Sequence, residues 1–147
     1  MRHFAAATLA LLAASCGNSK PCTTCINVMG TYRAVVESKQ GTTSSCSQMY
    51  FNGGEWDVDL YQQGSALDAP GLFGMKGTLY EDNGARFGPV KMRIAYADNL
   101  ADVTVSGGFD GEEANRQFGG SLTATAVLDG QNCTLNAPVR MTKKTAP

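Results

Sequence analysis

The feature that most constrains this chain is a hydrophobic period of two. From Gly30 onward, apolar and polar residues alternate in short runs. Tyr32, Ala34 and Val36 alternate with Arg33 and Glu37, and Trp56, Val58 and Leu60 with Glu55, Asp57 and Asp59. Phe73, Met75 and Leu79 interleave with Lys76 and Thr78, and Val90, Met92, Ile94 and Tyr96 with Lys91 and Arg93. Val103 and Val105, then Leu122 to Leu128, then Cys133 to Met141 continue the rhythm. Successive side chains of a strand point to opposite faces, so each run buries one face and wets the other. Asn52-Gly53-Gly54, Asn83-Gly84, Gly107-Gly108, Asp110-Gly111 and Asp129-Gly130 separate the runs. Such pairs accept the positive φ that tight hairpins need. The pattern predicts an all-β domain of about eight strands, a small antiparallel barrel or sandwich. With 147 residues in the chain, one domain is expected. Pro138 has no N–H to give a ladder, which predicts a free edge or a bulge in the last strand.

Ahead of this region the composition changes. Met1-Arg2-His3 is followed by an apolar run from Phe4 to Leu12, then Ala13-Ala14-Ser15 and Cys16. A short basic start, a brief apolar run and small residues make a secretory signal, and the run is too short to span a bilayer. With a cysteine directly after the small residues, the segment resembles a bacterial lipoprotein signal, although Ala13 stands where that family favours Leu. The resemblance implies cleavage before Cys16, diacylglycerol on its sulfur and an acylated new N-terminus. Gly17 in place of Asp implies the outer membrane by the same family's sorting rule. A cut after Ser15 without lipid, giving a secreted or periplasmic protein, is the alternative. The expected organisation is therefore a signal peptide over 1–15, with a signal helix, a lipid-anchored polar tether over 16–29 and a β domain over 30–147.

Removing the signal removes His3, the one histidine. Ser-His-Asp and Cys-His catalysis, the His-Glu-x-x-His zinc motif and histidine relays are then excluded. No Gly-rich segment joins a strand to a helix, so no phosphate-cradling cofactor motif is present. The carboxylates Glu55, Asp57 and Asp59, and Asp110, Glu112 and Glu113, lack the spacing of a calcium loop. Neither a metal nor a cofactor is expected, and the chain reads as a non-enzyme. A net charge of -1 and scattered basic residues argue against a nucleic-acid partner. The partners expected are a membrane, reached through lipid on Cys16, and an unidentified protein.

Besides Cys16 there are Cys22, Cys25, Cys46 and Cys133. An even number in an exported chain reads as two disulfides with three possible connectivities. If the last strand returns beside the first, Cys133 and Cys46 reach the same end, which favours Cys46–Cys133 and leaves Cys22–Cys25. Strand parity speaks against it, since Met49 and Phe51 would put Cys46 on the outer side. Cys22-Thr23-Thr24-Cys25 on a tether lacks the strand–helix setting of a redox centre, and the four cysteines lack the paired spacing of structural zinc.

Two aromatics are candidates for partner contact: Tyr61, on the outer side of its strand, and Phe109, beside Asp110 in a hairpin loop. Finally, Gly30-Thr31-Tyr32 resembles the Gly-x-Trp start of lipocalin- and avidin-type barrels, with Tyr in place of Trp. That resemblance implies that Tyr32 packs beneath a basic residue of the final strand, Arg140. It also implies an alternative function as carrier of a small apolar ligand. The reading favoured by the residues is a lipid-anchored, non-enzymatic binding or structural β module.

Overall fold

The computed structural model describes residues 20–40, 46, 49–72, 74–81, 91–97 and 101–145. The signal segment, Cys16, Phe73, Val90 and the Asn83-Gly84 turn lie outside the described residues. The alternation becomes strands β1 (Lys20–Pro21), β2 (Gly30–Val36), β3 (Lys39–Gln40), β4 (Tyr50–Phe51), β5 (Gly54–Gln63) and β6 (Ala66–Ala69). It continues in β7 (Met75–Glu81), β8 (Lys91–Ala97), β9 (Asp102–Asp110), β10 (Gln117–Leu128) and β11 (Gln131–Lys143), with one 3-10 turn at Glu113–Asn115.

Eight of these strands form an antiparallel sheet in the order β7-β6-β5-β2-β11-β10-β9-β8. The sheet curls into a barrel: β7 and β8, at its two ends, pair from Lys76↔Ala95 to Tyr80↔Lys91. First and last barrel strands meet through Val36↔Val139 to Tyr32↔Lys143. One end, called lower here, holds the start of β2 and the finish of β5, β7, β9 and β11. The upper end holds their other termini and the β10–β11 hairpin. That hairpin turns on Asp129 (φ 50°) and Gly130 (φ 76°), between the paired Leu128 and Gln131. Positive φ at both centres is the primed turn expected of Asp-Gly.

Inward residues fill the barrel with their own side chains. Tyr32, Leu60, Val58, Met75, Leu79, Phe109, Phe118, Leu135 and Met141 are all essentially solvent-free. Phe109 lies between the other two aromatics, 6.0 Å edge-to-face from Tyr32 and 5.1 Å from Phe118, centroid to centroid. Room for Phe118 comes from Gly107 and Gly120, directly opposite each other in the β9–β10 ladder. A Cβ on Gly120 would stand 2.8 Å from Phe118 Cζ, and one on Gly107 would run into the Gly119 carbonyl and Gly120 Cα. Gly107-Gly108, expected as a turn, is thus the interior of a nine-residue strand. Close approach of the neighbouring backbone and of an aromatic ring, not a reversal of the chain, explains the missing side chain.

Two other expectations change, and the free edge expected at Pro138 is present on one side of the strand only. The second strand is expected to begin at Cys46; of the described residues from there to Phe51, only β4 is strand, and it pairs with β3 outside the barrel. The eighth barrel strand is instead the four-residue β6, joined to β5 across Gly64-Ser65. Pro138 leaves no edge on the β10 side, where it pairs with Ser121. Its carbonyl accepts from Glu37 N at 3.1 Å, so its missing N–H falls on the β2 side, at the residue where that ladder ends.

The glycine pair makes a direct prediction. Gly107→Ala or Gly120→Ala destabilises the protein by about 3 kcal/mol in urea denaturation, because backbone stands where the methyl must go. Gly119→Ala, whose Cβ meets nothing within 4 Å, stays within about 0.5 kcal/mol of the parent.

Candidate functional site

The lower end carries most of the unusual chemistry. Residues 20–29, expected within a polar tether, are tied to it at several points, with Cys22 and Val28 buried. β1 pairs with Glu81 and Tyr80 of β7, extending the row that the short β6 leaves unfinished. Cys22 N donates to the Leu79 carbonyl at 3.1 Å, and Thr23 N to Glu81 Oε1 at 3.1 Å. Gln62 then fixes the crossing: its Oε1 accepts from Val28 N at 2.9 Å and its Nε2 donates to the Ile26 carbonyl at 3.1 Å. Val28, fully buried, closes the barrel floor.

Above Val28 lies Tyr32, whose hydroxyl donates to the Val28 carbonyl at 2.9 Å. Burial pushes the Tyr32 hydroxyl up to about 12; the nearby Arg116 guanidinium opposes the rise and Glu113 adds to it. The basic residue beside this aromatic is therefore Arg116, from the loop before β10, and not Arg140. Arg140 points outward, three-quarters exposed, and pairs with Glu37 at 2.6 Å. Outward positions alternate with buried Val139 and Met141 along β11, so an even-numbered residue there cannot face the core. Arg116 is buried, donates through Nη1 to the Gly111 carbonyl at 3.1 Å, and leaves its Nε without a partner.

The two candidate contact aromatics part company. Phe109 is 2% exposed and sits in the aromatic cluster of the core, so it offers nothing to a partner. β9 runs on to Asp110, which keeps Phe109 on an inward strand position instead of a loop tip. Tyr61 is 54% exposed on the outer wall. With Met29, Gly30, Thr31, Asp59 and Leu60 it lines an open pocket of about 300 Å³. Met29 was not predicted; it lies one residue before Gly30, where the β2–β5 ladder ends at Gly30↔Leu60.

The acidic row on β5 is compensated across the strand pair. Arg33 bridges Glu55 and Asp57, Lys144 reaches Asp57 at 2.8 Å, and Thr31 donates to Asp59 at 2.6 Å. Asp57 is held below the usual carboxylate range by its bonds to Lys144 and Arg33. In the lower loop, Glu113 Oε1 accepts from Asn27 Nδ2 at 2.6 Å and Asp110 Oδ1 from Gly111 N at 2.7 Å. Among the described residues no cluster of three or more His, Cys, Asp or Glu is arranged to hold a metal ion. Charged side chains also stud the outer wall at Arg33, Glu55, Asp57, Asp59, Lys76 and Arg140. A barrel that crosses a membrane presents an apolar band outward and polar groups inward; this one has the reverse arrangement.

Cysteines stand in the two pairs favoured by topology. Cys46 and Cys133, 87 positions apart, have Cα atoms 5.6 Å apart near the upper end, and Cys22 and Cys25 have theirs 5.3 Å apart at the lower end. Cys46 escapes the parity objection because it lies outside any strand, with 1% exposure. Comparison with known proteins finds no matching family, curated protein or solved structure.

Two predictions follow from this geometry. An unfolded tyrosine ionises near pH 10, so the proton held by Tyr32 stabilises the fold fully below pH 10 and is lost as pH rises towards 12. The urea midpoint should fall across that window, and Tyr32→Phe should flatten the fall. Losing the donor to Val28 makes that variant about 1–2 kcal/mol less stable at pH 7. Replacing Cys46 and Cys133 by Ser should cost at most about 4–5 kcal/mol, against about 2 for the pair Cys22 and Cys25, from the loop lengths closed. Equal losses for the two double variants would contradict the pairing.

Proposed function

We propose that this chain is a bacterial envelope lipoprotein whose barrel is a non-enzymatic module for binding or structural work. Cleavage before Cys16 removes residues 1–15, lipid on Cys16 holds the protein in the membrane, and Gly17 directs it to the outer membrane. The observation that carries this reading is the ordered run Phe4 to Leu12, Ala13-Ala14-Ser15, Cys16.

The barrel agrees with it in two respects. Its outer wall is charged, so it does not insert in lipid and needs an anchor to stay at a membrane. Its interior is occupied by Tyr32, Phe109, Phe118, Leu60, Met75 and their neighbours. That is the content of a packed core, whereas a carrier of small apolar ligands lines its interior around a cavity.

The test is the intact mass of the processed protein from a bacterial membrane fraction. The expected mass is that of residues 16–147 plus a diacylglycerol and one further acyl chain, with Cys16→Ser abolishing both the modification and the membrane association. A processed protein with an unmodified Cys16 would overturn the reading.

A further inference from the structure

Only four Cα steps separate Cys16 from Lys20, and four residues of extended chain reach about 14 Å at most. Lys20 itself cannot drift, because it pairs with Glu81 and is followed by the Cys22–Leu79 and Thr23–Glu81 hydrogen bonds. A lipid on Cys16 would therefore hold the lower end of the barrel at the bilayer surface.

That end is built to meet such a surface. Met29 and Tyr61, 45% and 54% exposed, face outward at its rim on the β2–β5 wall. β6 alone separates β5 from β7, where β1 is attached, so the rim lies about 10 Å from the anchoring strand. Tyrosine, with an apolar body and a polar tip, suits the headgroup layer, and a flexible thioether packs against irregular chains. The charges of this end nearly cancel: Lys20, Arg116, Lys143 and Lys144 are set among Asp59, Glu81, Asp110, Glu112 and Glu113. Electrostatic repulsion from, or attraction to, the lipid is accordingly weak. The other strongly exposed apolar side chains among the described residues, Val35, Tyr50 and Val127, lie towards the opposite end, Val127 about 25 Å away along the tilted barrel.

We propose that the lower rim is a lipid-docking surface: with Cys16 acylated, Met29 and Tyr61 seat in the headgroup layer and the barrel stands with its upper end towards water. The inference rests on the lipoprotein reading above, and the experiment separates the two. Trp56 is the single tryptophan, so Trp56→Phe gives a silent background in which Tyr61→Trp, Met29→Trp and Val127→Trp each report one position. The processed proteins are reconstituted into phosphatidylcholine vesicles containing lipid brominated near the headgroup, after circular dichroism has established folding and mass spectrometry the state of Cys16. Quenching several-fold stronger for Tyr61→Trp and Met29→Trp than for Val127→Trp is expected, and it should persist at high salt. Equal quenching at the three positions, with lipid present on Cys16, overturns the docking and leaves the anchor standing. An unmodified Cys16 overturns both. The two rim reporters are exposed sites on different segments, Met29 just before β2 and Tyr61 on β5, so one that fails to fold leaves the other to decide.

Discussion

Everything in this fold leans on one contact: the ring of Phe118 lying over two glycines that face each other across β9 and β10. Eight strands enclose an interior just wide enough for side chains to fill. Three aromatics fit there only because Gly107 and Gly120 present bare backbone to the Phe118 ring. Phe118 positions Phe109, and Phe109 positions Tyr32, which in turn holds the Val28 carbonyl. A single line of contacts thus runs from the far wall of the barrel to its floor.

The two ends are closed by different means. At the lower end, the chain entering the barrel doubles as its floor, fixed by Gln62, Glu81 and Tyr32 through directional hydrogen bonds. At the upper end, the half of β11 that precedes Pro138 has no partner in β2, and Cys46 is tied to it through Cys133. Local hydrogen bonds suffice where the covering segment is short and extended. At the upper end, a covalent tie between Cys46 and Cys133 takes the place of such hydrogen bonds.

Much of the wall was legible in the sequence and much of the interior was not. Period two declares which residues of β5, β10 and β11 share a face, and Asp129-Gly130 declares the hairpin. β6 escaped because Ala66-Leu67-Asp68-Ala69 has low strand propensity and only four residues; the Gly64-Ser65 pair was its one signal. The reverse error, a turn at Gly107-Gly108, came from reading glycine as conformational freedom when its role is close approach. Phe109 was misplaced by the same assumption, since a false turn at 107–108 moves everything after it out of the strand. Arg116 shows a different limit. Which cation meets the buried tyrosine depends on how a loop returns across the barrel end, and no local pattern encodes that. Tyr61 was legible because its exposure follows from parity alone.

The pairing of β2 with β11 also has a temporal side. Residues 32–36 wait for residues 139–143, more than a hundred positions later, before the wall is continuous. Until residues 139–143 are available, the sheet formed by the earlier strands keeps two bare edges, at β2 and β10. Pairing of β2 with β11 is what makes the wall continuous, and before it forms the backbone of β2 is an open edge that another strand could extend.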